Sequence, residues 1–308
     1  MSKGLAIGID LGGTNIKGAL VTKDGEIVCK RKEPTSEEIL KSILGIIDSL
    51  FSEDIAGIGL GVAGLIDRKG GRVAVSPNIP HIEKVNLING IREKFNIPVF
   101  IENDANAAAL GENWVGAGRG FSSFVLFTLG TGIGGGIIQG KKLLSVAAEI
   151  GHMTINIDDE KCHCGNSGCL ESYASARAII SKTLSALEKG RESILRQFHG
   201  RNIHDLTAKD IYRAALEGDK LAREVFKEAG RFLGIGIANI INIMSPEAII
   251  LAGGLASAWD IYIQEAIKEA SRRAFKELFG AVKIIPSLFG DDAGIIGSAG
   301  LVFQSNDR

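Results

Sequence analysis

Three of the four cysteines of this 308-residue chain fall within eight positions, at Cys162, Cys164 and Cys169, and His152 lies ten residues upstream. Three thiolates and one imidazole form the donor set that structural zinc prefers in tetrahedral coordination. Disulfides and unrelated buried thiols are the alternatives, but three cysteines cannot all pair and the segment is poor in apolar residues. The spacing therefore predicts a zinc knot over residues 152–169.

A second polar cluster follows the apolar run 98–101 and contains Asn103 and Asp104. A strand that hands over to a helix is the place where α/β sheets present functional groups. Capping of the helix is the alternative, since Asn and Asp are both favoured caps. Two polar groups are more than one cap requires, so we predict that Asp104 is a general base that takes a proton from an attacking hydroxyl. Asn103 would then hold the acceptor by hydrogen bonds.

Two short turns of glycine and threonine could hold phosphate groups. They consist of Gly12, Gly13 and Thr14, and of Gly130, Thr131 and Gly132. Glycine lets backbone N–H groups approach an anion closely, and a threonine hydroxyl adds a donor. Asp10 precedes the first turn, and because a carboxylate repels phosphate we expect it to hold Mg²⁺ that bridges phosphate oxygens. An ordinary glycine hairpin is the alternative, which the repetition of the turn and the added aspartate disfavour.

The composition argues against several classes of protein. A formal net charge of −1 gives no general electrostatic affinity for nucleic acid or for anionic membranes. The first residues lack the apolar run of a signal peptide, and no stretch approaches the roughly 18 apolar residues of a membrane span. Few cysteines, most of them clustered as ligands, suit a reducing compartment, so we expect a cytoplasmic protein in which the lone Cys29 only packs.

Apolar runs and glycine punctuation predict alternating strands and helices. Strands are predicted over residues 5–9, 16–21, 55–62, 98–101, 123–129, 135–139, 248–251 and 282–285. Helices are predicted over residues 39–50, 87–95, 105–114, 170–187, 221–244 and 259–275, and from 292 onward. Thr35 with Glu38, and Thr207 with Asp210, fit capping boxes at helix starts. Interleaved helices and strands predict an α/β fold with mostly parallel sheets and hairpins at one edge.

The plan of strand, glycine turn and strand occurs twice, over residues 5–21 and 123–139. Two copies of one α/β plan predict two domains whose glycine turns face each other across a cleft. We expect an N-terminal domain over residues 1–118 and a C-terminal domain over 119–291 that contains the zinc knot. The last helix, 292–308, is expected to pack back on the first domain.

Five blocks of the sequence resemble the signature of the ROK family, which takes in sugar kinases and sugar-responsive repressors. The blocks are Asp10-Leu-Gly-Gly-Thr14, Glu102-Asn-Asp-Ala-Asn106, Leu129-Gly-Thr-Gly-Ile-Gly-Gly-Gly136, Glu149-Ile-Gly-His152 and Cys162-x-Cys-Gly-Asn-x-Gly-Cys-Leu-Glu171. They occur in the family's order between residues 10 and 171, and the resemblance as a whole extends over nearly the whole chain. The resemblance implies the two-domain hexokinase/actin-like (ribonuclease H-like) fold. It also implies transfer of the γ-phosphoryl group of ATP, with Mg²⁺, to the primary hydroxyl of a hexose. Glucose is the leading candidate for that hexose.

The same resemblance implies roles for individual residues, with Asp104 as the family's base. The implied sugar contacts are Asn78, Asn103, Asp104, Glu149, His152 and Glu171, and the implied zinc ligands are His152, Cys162, Cys164 and Cys169. The implied nucleotide site comprises Asp10, Gly12, Gly13, Thr14, Lys17, Gly130, Thr131, Gly132, Gly253 and Gly254. His152 would then use one ring nitrogen for zinc and the other for the sugar.

The segment before Glu149 departs from the kinases of the family. Those kinases usually have a longer segment with extra glycines that ends Ala-Gly-Glu, whereas this chain ends it with Ala147, Ala148 and Glu149. The segment lies beside the sugar in relatives, so the sugar is less well defined than the reaction. Kinases of N-acetylmannosamine or of fructose stay open as alternatives.

Two further classes compete with a kinase. A sugar-responsive repressor needs a DNA-binding domain ahead of the first glycine turn, and we expect none because Asp10 is the tenth residue. A nucleotide-driven structural protein of the actin kind would need neither the cysteine cluster nor Asn103 and Asp104. The expected partners are therefore a hexose and a nucleotide, in a chain that forms a homodimer or homotetramer as its relatives usually do.

Overall fold

A computed structural model describes residues 4–67, 70–76, 79, 81–157, 161–200 and 202–304 of the chain. Its strands are β1 (Leu5–Leu11), β2 (Asn15–Thr22), β3 (Ile27–Pro34), β4 (Ile55–Val62), β5 (Leu65–Asp67), β6 (Arg72–Val75), β7 (Val99–Asn103), β8 (Phe124–Leu129), β9 (Ile133–Gln139), β10 (Lys142–Leu143), β11 (Ala248–Ala252) and β12 (Lys283–Pro286). Its α-helices are α1 (Ile39–Leu50), α2 (Leu87–Phe95), α3 (Asp104–Trp114), α4 (Glu171–Ala174), α5 (Ala176–Glu188), α6 (Ala208–Leu216), α7 (Lys220–Met244), α8 (Gln264–Arg273), α9 (Lys276–Ala281) and α10 (Ala293–Gln304). Short 3₁₀ turns connect several of them, and a π-turn, Trp259–Ile263, precedes α8.

Most predicted elements are confirmed, and β4 and α2 have the predicted bounds. The helix predicted over 170–187 is wrong in its continuity: Ser175 is extended, with ψ 168°, and its side chain caps α5 by accepting from the N–H of Ala178. The first capping box is also wrong, because Glu38 is the N-cap of α1 and makes no side-chain cap hydrogen bond. The second capping box, Thr207 with Asp210, is confirmed.

Two five-stranded sheets follow the same plan. The first has the order β3-β2-β1-β4-β7 and the second the order β10-β9-β8-β11-β12. In the first sheet β2 pairs antiparallel with β3 and β1, whereas β1, β4 and β7 run parallel. In each sheet the two strands that flank a glycine turn are neighbours, so the internal repeat predicted from the sequence is confirmed.

The first sheet is covered on both faces. Apolar side chains of α1 and α2 pack on one face, and α10 packs on the other, against β1, β4 and also α3. Glycine allows α10 to lie directly on the strands, because a Cβ at Gly8 would come within 2.1 Å of the Ile295 carbonyl oxygen, and one at Gly59 within 1.7 Å of that of Ser298. This close packing brings the beginning of α10 to the ends of β1 and β4.

The chain divides into two compact units. Unit 1 comprises Met1–Leu126, Gly135–Ala148 and Ser287–Arg308, and unit 2 comprises Phe127–Gly134 and Glu149–Pro286. The boundaries between these units do not coincide with the domain boundaries predicted at residues 118 and 291. Those domain boundaries stay predictions. Within the described residues, no helix combines the length and the apolar character that crossing a membrane requires.

Candidate functional site

In unit 1, sheet register brings charged residues from distant parts of the chain into one row. Asp10 on β1 pairs with Lys17 on β2 and with Gly61 on β4, and Gly61 pairs in turn with Glu102 on β7. The Lys17 ammonium lies 3.7 Å from the Asp10 carboxylate and donates to the backbone oxygen of Asp291. Gly61 lets neighbouring elements approach this row closely. A Cβ at Gly61 would lie 2.7 Å from the Ser298 hydroxyl oxygen on α10 and 3.5 Å from the Cα of Asp104.

The Asp10 carboxylate is in an unfavourable place for a charge. Its pKa is raised from 3.8 to about 6, mainly by burial; the Lys17 ammonium lowers the pKa and the nearby carboxylate of Asp104 raises it. The first turn of α10 also touches this carboxylate, since a Cβ at Gly294 would lie 3.1 Å from its carboxyl carbon. A desolvated carboxylate with a raised pKa is a typical site for a cation, because a bound cation removes the cost of the buried charge.

Asn103 makes the capping contacts that the sequence offered as the alternative to a functional role for Asn103 and Asp104. The Asn103 side-chain oxygen accepts from the N–H groups of Ala105 and Asn106, so Asn103 caps α3, and its amide donates to the Gly64 carbonyl oxygen. Asp104 is the first residue of α3, is half-buried, and accepts from the N–H of Ala105 at 2.9 Å. Capping therefore involves the asparagine, and the aspartate is the better placed of the two for proton transfer.

The first glycine turn is open on one side. The Gly12 N–H donates to the Asn15 carbonyl oxygen, and the Thr35 hydroxyl donates to the Gly12 carbonyl oxygen. A Cβ at Gly12 would meet nothing closer than the Asn15 oxygen, at 3.4 Å. Gly13 and Thr14 are exposed, so their backbone is accessible to a ligand.

In unit 2, the four predicted metal ligands lie together. One donor atom from each of His152, Cys162, Cys164 and Cys169 lies within 4.8 Å of all the others. The sulfurs of Cys164 and Cys169 are 3.8 Å apart, and the Cys162 sulfur is 3.6 Å from Nδ1 of His152. Zn–S bonds of about 2.3 Å and a Zn–N bond of about 2.0–2.1 Å give tetrahedral edges of about 3.8 Å between sulfurs and about 3.6 Å between sulfur and nitrogen. The donor set therefore fits zinc in both chemistry and spacing.

The predicted sugar contacts of unit 2 surround the same histidine. Nε2 of His152 faces the Glu149 carboxylate at 3.8 Å, while Nδ1 faces the sulfurs. Burial raises the pKa of Glu149. The nearby His152 imidazole lowers this pKa and the Glu171 carboxylate raises it, so the three groups are close enough to interact. The residue before Glu149, Ala148, has a φ of 50°, a left-handed conformation that favours glycine.

The second glycine turn is closed by the Glu171 carboxylate. Oε2 of Glu171 accepts from the N–H of Ile133 at 2.8 Å, and a Cβ at Gly132 would lie 2.2 Å from the same oxygen. The other predicted glycine pair begins with Gly253, whose φ of 89° and close approach to Leu129 both require glycine. Unit 2 therefore brings together the second turn, the Gly253 turn and Glu171.

Sequence reasoning missed the contacts that come from α10 and from the 3₁₀ turn before it, Gly290–Asp292. The backbone of Asp291 binds Lys17, and Gly294 lies against Asp10. The sequence Asp-Asp-Ala-Gly at the predicted start of the last helix was the available signal, but it does not say which strand the helix touches. Asn78, predicted as a sugar contact, lies outside the described residues.

The chain matches the model of the ROK family over residues 6–305. A glucokinase of Halalkalibacterium halodurans is 36% identical over 323 residues, which cover 100% of this chain and 97% of that protein. A xylose repressor of Caldicellulosiruptor bescii is 34% identical over 316 residues, which cover 98% of this chain and 78% of that protein. The crystal structure of a ROK family glucokinase from Streptomyces griseus in complex with glucose and AMPPNP matches with a TM-score of 0.85 at 34% identity. That match covers 98% of this chain and 100% of the other. The predicted α/β hexokinase/actin-like fold is confirmed by this structural match and by one to a ROK hexokinase from Thermus thermophilus, with a TM-score of 0.76 at 27% identity over 99% of this chain and 100% of that one.

Proposed function

Because the chain belongs to the ROK family and is a sugar kinase of that family, we propose that it transfers the γ-phosphoryl group of ATP to the primary hydroxyl of a hexose, with glucose as the acceptor. The observation that carries this proposal is the Asp104 carboxylate at the start of α3, close enough to Asp10 to raise its pKa. The glucokinase relatives support glucose. N-acetylmannosamine and fructose are the alternative acceptors, and a structural relative at 23% identity is described as an N-acetylmannosamine kinase.

In the proposed reaction Asp104 is the general base. A carboxylate oxygen of Asp104 accepts the proton of the primary hydroxyl while the hydroxyl oxygen forms a bond to the γ-phosphorus. The bond between that phosphorus and the oxygen bridging to the β-phosphate breaks, and ADP leaves. Asn103 caps α3 and thereby fixes the backbone from which Asp104 projects. A base of this kind contributes typically about 10²–10⁴ in rate.

The phosphate side of the reaction is assigned to Asp10, Lys17 and the two glycine turns. When bound, Mg²⁺ would neutralise charge on the β- and γ-phosphate oxygens, and the Asp10 carboxylate is the group that would hold it. Lys17 supplies a fixed positive charge, since its ammonium is oriented by both Asp10 and the Asp291 carbonyl oxygen. The exposed backbone of Gly13 and Thr14 offers donors to phosphate oxygens.

The sugar side is assigned to Glu149, His152 and Glu171. Carboxylates accept hydrogen bonds from sugar hydroxyls, and the imidazole can form a hydrogen bond to a sugar hydroxyl through Nε2. A zinc ion on Nδ1 of His152 and on the three sulfurs would fix the ring orientation and leave Nε2 for this contact. Zinc therefore has a structural role in the proposal, and no chemical step passes through it.

The non-enzyme alternative is a sugar-responsive repressor, because a xylose repressor is as similar over this chain as the glucokinases are. Such a protein binds a sugar but does not phosphorylate it. Sugar binding alone gives Asp104 a role as a hydrogen-bond acceptor for a sugar hydroxyl, but it gives no role to the Asp10 carboxylate nearby. Catalysis gives both Asp10 and Asp104 a role.

The test is a coupled assay of ATP consumption across glucose, fructose, mannose, N-acetylglucosamine and N-acetylmannosamine. A mock purification from cells that do not express the chain measures contaminating kinase activity. We expect glucose to give the highest kcat/KM, with the phosphate located on the primary hydroxyl by ³¹P–¹H NMR. Hexose binding by calorimetry without ATP consumption above this blank would instead identify a sugar sensor. Light scattering in the same preparations tests the proposed homodimer or homotetramer.

A further inference from the structure

The carboxylate of Glu171 and the second glycine turn form one packed unit. Oε2 of Glu171 accepts the N–H of Ile133 at 2.8 Å. A Cβ at Gly132 would lie 2.2 Å from this oxygen and 3.0 Å from the carboxyl carbon. The carboxylate therefore occupies the space that the side chain of any other residue at position 132 would need. A Cβ at position 132 would therefore push the Glu171 carboxylate away from its place against the turn.

The backbone on both sides of this contact is fixed. The N–H of Ala176 donates to the Gly130 carbonyl oxygen at 2.9 Å. The buried hydroxyl of Tyr262 donates at 2.6 Å to the carbonyl oxygen of Ala174, the last residue of the short helix that Glu171 begins. Because both the turn and α4 are held, a displaced carboxylate cannot be compensated by a small movement of either backbone.

We propose that Gly132, in the turn predicted to bind nucleotide, is a positioning residue for the sugar and acts through Glu171. The inference rests on the proposed function, in which Glu171 accepts from a sugar hydroxyl. With Oε2 bonded to Ile133, Oε1 is the oxygen that the sugar uses, and its direction is set by the fit of the carboxylate against Gly132. Sugar bound to Glu171 and nucleotide bound to the turn then favour the same packing of the carboxylate against Gly132. Each ligand therefore raises the affinity for the other by the same factor.

The experiment compares two alanine variants in the same turn. Gly132→Ala places a methyl group on the Glu171 carboxylate, whereas a Cβ at Gly130 meets nothing within 4 Å. Sugar affinity is measured by calorimetry with glucose and no nucleotide, and nucleotide affinity with AMPPNP alone. We expect Gly132→Ala to weaken glucose binding about 10- to 100-fold, the range for losing a hydrogen bond to a charged group. Gly130→Ala should leave glucose affinity within about twofold, whatever it does to AMPPNP.

A double-mutant cycle separates this mechanism from general damage to the fold. In a Glu171→Ala background the methyl group of Ala at position 132 has no carboxylate to displace, so adding Gly132→Ala should cost less than threefold further in glucose affinity. Additive losses in the cycle, or equal glucose affinities for Gly132→Ala and Gly130→Ala, would overturn the inference while leaving the kinase proposal intact.

Hydrogen exchange gives a readout that needs no sugar. The Ile133 amide should be protected in the wild type and exchange faster in Glu171→Ala, while the Ala176 amide is unchanged. An Ile133 amide that exchanges equally in both proteins means that the contact does not exist in solution and overturns the inference. A protected Ile133 amide with no hexose binding at all in the wild type overturns the inference together with the proposed function.

Discussion

Asp10 in unit 1 and Glu171 in unit 2 stand beside the two glycine turns of one repeated plan, but their carboxylates have different partners. Asp10 faces the Lys17 ammonium at 3.7 Å and experiences the repulsion of Asp104, so its charge is only partly compensated. Glu171 accepts a short hydrogen bond from the N–H of Ile133 and fills the space next to Gly132. The repeated sequence signature therefore leaves a partly compensated carboxylate, the proposed cation ligand, in one copy and forms a closed, packed contact in the other.

Two positions of unit 1 store unfavourable energy in different forms. At Asp10 the cost is electrostatic, because desolvation raises the pKa of this carboxylate to about 6. At Ala148, the residue before Glu149, the cost is steric, because its φ is 50°. An electrostatic cost depends on pH and a steric cost does not, so mutations that relieve them can be told apart by stability measurements at two pH values.

The largest expected effect separates catalysis in unit 1 from binding in unit 2. Asp104→Asn should lower kcat about 10²–10⁴-fold, the usual contribution of a general base, and change the KM for glucose by less than about threefold. Glu171→Gln should show the reverse pattern, with a raised KM and a smaller loss of kcat. Steady-state kinetics with glucose and ATP measure both. An Asp104→Asn enzyme that keeps kcat within tenfold of the wild type would remove Asp104 from the role of base.

The next effect tests the metal set of unit 2. Cys164 is exposed, so Cys164→Ser should leave the packing intact and remove a metal ligand. We expect bound zinc, measured by mass spectrometry of the metal, to fall from about one per chain to near zero. Glucose affinity should fall about 10- to 100-fold as His152 loses its fixed orientation. Cys29→Ser is the matched control and should keep its zinc; full zinc and full sugar affinity in Cys164→Ser would exclude this metal set.

Short-range features of the site could be predicted from the sequence. The spacing of His152 and the three cysteines already placed four donors within one loop, and the structure brings them to zinc-like distances. The nearness of Asp10 and Asp104 was predictable in kind, because the carboxyl ends of parallel neighbouring strands share one edge of a sheet. The register Asp10 to Gly61 to Glu102 supplies the detail that the α/β pattern lacks.

Contacts that depend on atomic packing between distant segments were not predictable. Nothing in the sequence marks Ile133 as the partner of Glu171, since the contact joins two turns through a backbone N–H that every non-proline residue has. The same holds for the position of α10, which depends on Gly8 and Gly59 leaving room for its backbone. Glycine is frequent in this chain, so these two positions did not stand out from the others.

A third prediction concerns the electrostatic cost in unit 1. The raised pKa of Asp10 means that its contribution to stability is complete below about pH 4 and is lost as the pH rises through about 6. Asp10→Asn removes the buried charge and should be more stable than the wild type at pH 7.5. Each pKa unit corresponds to about 1.4 kcal/mol, so the expected gain in the free energy of unfolding is on the order of 1–3 kcal/mol. Urea unfolding should show this gain at pH 7.5 and no gain at pH 4.

The control for Asp10→Asn is Asp48→Asn, which removes a half-exposed surface carboxylate paired with Lys94. It should give no gain at either pH, since exposed ion pairs contribute about 0–1 kcal/mol. Asp10→Asn should also lose affinity for nucleotide with Mg²⁺, which makes the stabilised protein the less active one. A gain that persists unchanged at pH 4 would show that the cost at Asp10 is not electrostatic.

The smallest effect concerns the steric cost beside Glu149. Ala148 has a φ of 50°, which glycine tolerates better than any other residue. Ala148→Gly should therefore stabilise the protein by about 1 kcal/mol. Ala147→Gly is the matched control: Ala147 has no positive φ, so the added freedom of the unfolded chain should lower stability by about 0.5–1 kcal/mol. In contrast to Asp10→Asn, the gain from Ala148→Gly should be the same at pH 4 and pH 7.5, because no ionisation is involved. If Ala148→Gly were no more stable than Ala147→Gly, the left-handed backbone at Ala148 would carry no strain, and the contrast between an electrostatic cost at Asp10 and a steric cost at Ala148 would fail.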